Sequence, residues 1–176
     1  WFAPAGTRRG GISNASAAGY IDSEGEFVSV ALNEGQRDTL YSLNVNPITF
    51  LTGAGLVNFG QKTRARNASA LDRINVARLV IFLRSQLNKL AKPFIFEPND
   101  KITRDEMKQQ VDALLLELVG QRALYDFLVV CDESNNTPNR IDRNELHVDI
   151  AIEPVKAVEF IYIPLRLKNT GEIAGL

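Results

Sequence analysis

The 176-residue sequence is short of the residue types on which reactive protein sites usually rely. Its one cysteine, Cys131, cannot close an internal disulfide, so nothing implies an oxidising compartment. Its one histidine, His147, has no second histidine or cysteine partner with which to build a metal cluster or a relay to a nucleophile. Neither charge sign dominates: 20 lysines and arginines face 21 acidic residues, a net charge of −1. That balance removes any general electrostatic case for nucleic acid or an anionic membrane surface. No apolar run approaches the roughly 18 residues of a membrane span. A signal peptide is not encoded either, because Arg8 and Arg9 lead into glycine and polar residues rather than an apolar segment. The chain opens at Trp1, without methionine and inside a Pro/Gly-rich stretch, which reads as the interior of a longer polypeptide.

What remains is an ordinary globular composition, 45% hydrophobic and 23% charged, long enough for one hydrophobic core. The strongest pattern lies near the C-terminus. Leu146, Val148, Ile150 and Ile152 alternate with His147, Asp149 and Glu153. After the linker Pro154 to Val158, Ile161, Ile163, Leu165 and Leu167 alternate with Phe160, Tyr162 and Arg166. Period-two alternation in β-branched and aromatic residues predicts two strands. The linker holds no Asn-Gly or similar pair, so a tight hairpin between them is not favoured.

Along the chain, residues 1–19 read as an irregular loop anchored by Trp1 and Phe2, and Glu26 to Leu32 as an edge strand. Asn33 with Gln36 predicts a helix running to about Leu43. Ile48 to Gly60 is a strand, a glycine turn and a strand. Val76, Leu79, Val80, Leu83, Leu87, Leu90 and Ala91 fall at helical spacing up to Pro93. Phe94 to Phe96 predicts a short buried strand. Thr103 with Glu106 predicts a capping box, Met107, Val111, Leu114, Leu115 and Leu118 an apolar helical stripe, and Gly120 its C-terminal stop. Leu124 to Cys131 reads as a central strand, followed by a polar loop to Glu145. The fold class is α+β or α/β, with a mixed sheet and two main helices.

Motifs for chemistry fail in detail. Gly55 to Thr63 resembles a phosphate loop, but Gln61 intrudes before Lys62 and Thr63 and displaces both from their positions. This loop marks the alternative reading, a small α/β nucleotide-binding enzyme. Asp132 to Arg143 imitates a calcium loop, yet Pro138 lies near the required glycine and Arg143 replaces the bidentate glutamate. A side-chain-capped turn network is the better reading there. Asp132, Glu133, Asp142, Glu145 and Asp149 offer no defined carboxylate pair, and Cys131 reads as a buried small hydrophobe. The sequons at Asn14, Asn67 and Asn135 carry little without a secretory context. Basic residues off the apolar stripes (Arg78, Arg84, Lys89, Lys92, Lys101, Arg104, Lys108) read as a solvated face or a patch for an acidic partner.

Several ordered segments then point one way: Trp1 to Gly6 with Arg9-Gly10, Arg37 to Ile48 (RDTLYSLNVNPI), Gly53 to Thr63, Ala70 to Val76 with Arg78-Leu79, Phe96-Glu97-Pro98-Asn99, and Tyr125 to Leu165. In these the chain resembles the C-terminal domain of contractile tail sheath proteins from myovirus tails and R-type pyocin-like particles. Residues 20–32 and those after Lys168 carry none of the likeness.

The resemblance implies an α+β inner domain of a longer structural subunit, without enzyme activity, metal or cofactor. Residues 1–20 would be a linker from preceding parts, 21–158 the core domain, and 159–176 an arm whose strand pairs with a neighbouring copy. Such subunits stack as hexameric rings around an inner tube, with baseplate and terminator proteins at the ends, in a virion tail assembled in the host cytoplasm. Contraction of the lattice drives the tube through a cell envelope without nucleotide hydrolysis, and neither nucleic acid nor membrane is bound directly. The strand-exchange residues implied are Val148, Ile150, Ile152, Phe160, Ile161, Tyr162, Ile163, Leu165 and Leu167. The tube-facing candidates are Arg84, Lys89, Lys92, Arg104 and Lys108.

Overall fold

A computed structural model describes residues 1–65 and 67–164. At its start the Trp1 ring packs on Phe82, with centroids 4.7 Å apart, at the margin of the core. Phe2 stays largely outside, beneath the Arg9 guanidinium 3.8 Å from the ring centroid. The expected anchor is therefore Trp1 alone.

One helical turn, α1 (Gly6–Arg9), leads to backbone pairing with a later segment: Ile12 N–H donates to the Leu56 carbonyl, and Gly10 accepts from Asn58 N–H. A Cβ at Gly10 would lie 2.4 Å from the Asn58 carbonyl oxygen, so only glycine permits this approach. Strands β1 (Gly19–Ile21) and β2 (Phe27–Ser29) then form a hairpin. β1 begins at the last residue of the stretch read as an irregular loop and runs over Tyr20 and Ile21, for which the sequence predicts no element. The hairpin turns on Asp22, whose Oδ1 accepts N–H bonds from Glu24 and Glu26, the usual way aspartate replaces a backbone turn.

Helix α2 (Glu34–Ser42) starts at the predicted place, because Asn33 and Gln36 cap each other reciprocally. Strands β3 (Ile48–Leu51) and β4 (Gly55–Asn58) pair antiparallel around the glycine turn. Helix α3 (Ile74–Ala91) follows, and Pro93 converts its end into a 3-10 turn over Lys92–Phe94. The buried strand predicted at Phe94 to Phe96 does not form. Ile95 and Phe96 are exposed, and Phe96 has φ of 76° between two proline-limited turns.

Helix α4 (Lys101–Gly120) begins three residues earlier than the Thr103 box suggests. Asp100 is the N-cap, its Oδ1 accepting the Thr103 N–H at 2.9 Å. Its stop is also displaced. Arg122, at φ 60°, takes the left-handed position, while Arg122 and Ala123 N–H donate back to Val119 and Leu118.

Strand β5 (Leu124–Val130) pairs antiparallel with β6 (Asp149–Pro154), Val129 opposite Ile150 and Phe127 opposite Ile152. Between them lies α5 (Pro138–Asp142). The core is a sandwich: Leu79 and Leu83 of α3, Met107, Val111, Leu115 and Leu118 of α4, and Leu124 and Val129 of β5 are buried together. Leu146 and Val148, just before β6, and Ile150 and Ile152, on it, close the core along the predicted apolar row, although the strand itself starts only at Asp149. The class is α+β with two main helices. Instead of one mixed sheet, the strands of the described residues form three separate antiparallel pairs. β5 is not central either, for no third strand joins it among the described residues, and Tyr125 and Leu128 on its outer face are exposed.

Candidate functional site

The site is built where β6 ends. Val155 N–H donates to the Ala123 carbonyl, and Asn75 Nδ2 donates to the Val155 carbonyl at 3.1 Å, so the chain leaving β6 is tied to the N-terminal turn of α3. Lys156, Ala157 and Val158 are then exposed. Glu159 returns to the body. Arg73 grips both its carboxylate oxygens, the second through Nη2 at 3.1 Å, and Gln61 Nε2 donates to Oε1 at 3.0 Å. Arg73 is the residue from which α3 starts, and Asp72 stands 3.2 Å from its other nitrogen.

Burial pushes the Glu159 carboxyl up, but the hydrogen bonds from Arg73, Gln61 and Tyr41 and the Arg73 charge outweigh it, leaving the group below its ordinary value. The same surroundings act on Tyr41 in reverse: burial, then the Glu159 charge, raise its phenol to about 12. Gln61 and Asn75, both buried, spend their donor nitrogens on the returning segment. Their oxygens have no partner among the described residues. They line, with Ser69, Arg73 and Phe160, a cleft of about 640 Å³.

Beyond Glu159 the environment changes at once. Phe160, Ile161, Tyr162 and Ile163 are 69%, 76%, 88% and 83% exposed and belong to no strand. Four consecutive large apolar side chains in water mark an interaction surface. Leu165 and Leu167, the other members of the alternating row, lie outside the described residues. Val148, Ile150 and Ile152 face their own core.

The basic candidates divide. Arg84, Lys89 and Lys92 are exposed and, at about 100° per residue, share an arc of about 140° on the second half of α3 and its extension. Lys108 is half-buried. Arg104 is only 6% exposed and turns to the Asn99 carbonyl and side-chain oxygens at 3.4 and 3.5 Å.

The remaining lookalikes are occupied by local structure. Lys62 donates to the Tyr41 carbonyl at 2.6 Å and lies 4.3 Å over the Tyr41 ring, while Thr63 Oγ1 donates to Leu71. Neither is free to hold a phosphate in this geometry. In the polar loop, Asn136 is 1% exposed; it accepts the His147 N–H at 2.7 Å and donates to the His147 and Asp132 carbonyls. Asn135 donates to Val130, His147 and Asp149, which is the predicted side-chain-capped network. Hydrogen bonds from Arg143 and His147 hold the Glu145 carboxyl down at about 2. Cys131 is buried, and burial pushes its thiol up. Among the described residues no group of three or more His, Cys, Asp or Glu is placed to hold a metal. No helix among the described residues is long and apolar enough to cross a membrane.

Sequence reasoning missed the partners of Glu159. Tyr41, Gln61 and Arg73 come from three separate segments, and no local spacing links them.

The chain is similar to known proteins in sequence and in fold. The tail sheath protein of Vibrio phage KVP40 is 40% identical over 179 residues, covering 99% of this chain and 25% of that protein. The tail sheath protein of Enterobacteria phage T4 is 33% identical over 180 residues, 100% of this chain and 26% of its own length. The chain therefore spans about a quarter of these relatives. Among solved structures, the contracted helical sheath of the anti-feeding prophage superposes with a TM-score of 0.72 at 23% identity, over 88% of this chain and 45% of that one. The contracted sheath complex of an extracellular contractile injection system gives 0.73 at 18% identity, over 82% and 43%. These two establish the likeness of fold. The family model for the phage tail sheath C-terminal domain matches residues 66–168, more than half of the sequence and the part that holds Arg73, Glu159 and the exposed row, and the chain belongs to that family.

Proposed function

We propose that the chain is the inner domain of a contractile tail sheath subunit in a virion tail, with a mechanical rather than a catalytic task. The subunit polymerises with copies of itself as hexameric rings around an inner tube, bounded by baseplate and terminator proteins, and contracts to drive the tube through an envelope. The observation that carries this reading is the abrupt change at Glu159, from a side chain fixed inside the fold to an exposed apolar row from Phe160 to Ile163.

A row that exposed is costly in water and needs a partner surface. The β5–β6 ladder offers one, since its outer edges lack a third strand among the described residues. Strand addition between copies satisfies the backbone groups on both sides and removes the edges at which unwanted pairing starts. β6 stays within its own chain and serves as an acceptor edge, and the donated segment starts at Phe160. Glu159, expected as its first residue, is retained by the body. Arg84, Lys89, Lys92 and Lys108 are the side chains offered to the tube. Arg104 belongs to the interior.

The test is negative-stain microscopy of the subunit carrying this chain, with its tube protein, intact and truncated after Glu159. Helical tubes from the intact subunit and dispersed particles from the truncated one are expected. Tubes of equal yield and diameter from both would remove the donated strand.

A further inference from the structure

The segment between β6 and the exposed row is fastened twice, and the two fastenings differ in kind. The first is backbone pairing at Val155 with help from Asn75. The second, four residues on, is made wholly by side chains: Arg73 bidentate on Glu159, Gln61 on the same carboxylate, and Tyr41 beside it. Between them Lys156, Ala157 and Val158 have little packing of their own. Nothing in the stability of the core requires the second fastening, because the sandwich is already closed by Ile150 and Ile152. A half-buried ion pair such as this is a poor source of net stability compared with apolar packing, but a bidentate one is a good means of holding one geometry.

We propose that Arg73 and Gln61 form a clamp on Glu159 that fixes the pivot of the C-terminal arm at Phe160 and passes tension on the arm into the start of α3. The proposal rests on the reading that the arm is donated to another copy. With the clamp closed, the arm begins at residue 160. With it open, the first fixed point retreats to Val155, freeing four residues (156 to 159) that can extend to at most about 13 Å at about 3.3 Å per residue. That slack is comparable with the rise of two helical turns, about 11 Å. It is therefore large enough to decide whether a neighbouring copy is held at one distance or allowed several. Pull on a closed clamp reaches Arg73, then the first turn of α3, and through Val76, Leu79 and Leu83 the core. Pull on an open one is absorbed by loose chain.

The experiment uses Glu159→Gln, which keeps the shape and removes the charge, and Glu159→Asp, which keeps the charge but withdraws the carboxylate by one methylene. Arg73→Lys is the third variant, retaining charge without the bidentate fork. The first readout is tryptic cleavage after Lys156 in the unassembled subunit, followed by mass spectrometry. Proteolysis reports the open population of a segment, and cleavage about tenfold faster than wild type is expected in all three variants. Unchanged cleavage would show that no clamp operates.

The second readout is the heat or urea midpoint at which assembled tubes change from extended to contracted. A lower midpoint in the variants, with subunit folding intact by circular dichroism, is expected. An unmoved midpoint alongside faster cleavage would overturn the transmission of tension. The truncation after Glu159 separates the two ideas: if it still assembles, the donated arm falls, while the cleavage rates judge the clamp itself.

Discussion

Arg73 and Glu159, 86 residues apart in sequence, join the start of α3 to the segment leaving β6. Their pairing has a pH signature. The Glu159 carboxyl is held below its unfolded value, so more protons bind to the unfolded chain, and the contribution to stability is present above about 4.5 and lost as pH falls through the lower folded value. Replacing Glu159 by Gln is expected to cost about 1–2 kcal/mol at pH 7. In urea unfolding at a series of pH values, that difference should shrink steadily below pH 4.5. A difference that grew on acidification would contradict the sign.

Asn136 holds the polar loop against the core through hydrogen bonds to His147 and Asp132. Truncating it to Ala leaves the half-buried His147 N–H without its partner and the His147 carbonyl with Asn135 alone, at a cost of about 1–3 kcal/mol. The midpoint of urea unfolding should fall with the slope unchanged. Asn136→Asp retains the acceptor for His147 N–H but loses the donors and buries a charge, and should be at least as destabilising.

These two cases mark what can be read from sequence. Elements governed by neighbours within about four residues were legible: the Asn33–Gln36 cap, the turn between β3 and β4, the helical stripe of α3, and the alternating face of β6. Local rules misplaced an element where two candidates competed, as when Asp100 took the N-cap ahead of Thr103, or Arg122 the left-handed position ahead of Gly120. Phe94 to Phe96 was misread because an apolar triplet has no period, and the flanking prolines rather than its hydrophobicity decided the backbone. The resemblance to sheath domains was legible from ordered segments spanning most of the chain. The Glu159 contacts were not, since a tertiary ion pair leaves no trace in spacing, and only folding brings Tyr41, Gln61 and Arg73 to it.

Lys62 provides a direct test between the mechanical reading and nucleotide binding. Its ammonium is committed to the Tyr41 carbonyl and ring. Titration of the chain with Mg-ATP in a calorimeter is expected to give no saturable heat, and Lys62→Ala to lower stability by about 0.5–1.5 kcal/mol through loss of the hydrogen bond and cation–π contact. Saturable binding abolished by Lys62→Ala would restore the nucleotide site.

Core and arm should respond to truncation in opposite ways. Leu115 is fully buried between the helices and the ladder, and Leu115→Ala should cost about 2–5 kcal/mol in the unassembled subunit. Ile163, 83% exposed, has almost no burial to lose. Ile163→Ala should leave the subunit within about 0.5 kcal/mol of wild type yet reduce the yield of helical tubes. Equal loss of subunit stability from both would mean that the arm packs on its own chain.

The basic residues of the two main helices should separate by burial. Arg84, Lys89 and Lys92 are exposed on one arc, where charges interact with a partner through water and are screened beyond about 10 Å at 0.1 M salt. Reversing them to Glu should leave subunit stability nearly unchanged. It should weaken association with the tube at low salt, and the deficit should narrow as salt is raised. Arg104 behaves differently, because its guanidinium and aliphatic stem lie inside, against Asn99 and near Cys131. Arg104→Ala should lower the unfolding midpoint by the equivalent of about 1–3 kcal/mol at any salt concentration, with tube binding following only the folded fraction. Co-sedimentation with tubes across a salt series, alongside urea unfolding of the same variants, checks both expectations. A salt-independent defect in the α3 reversals would remove them from the tube interface.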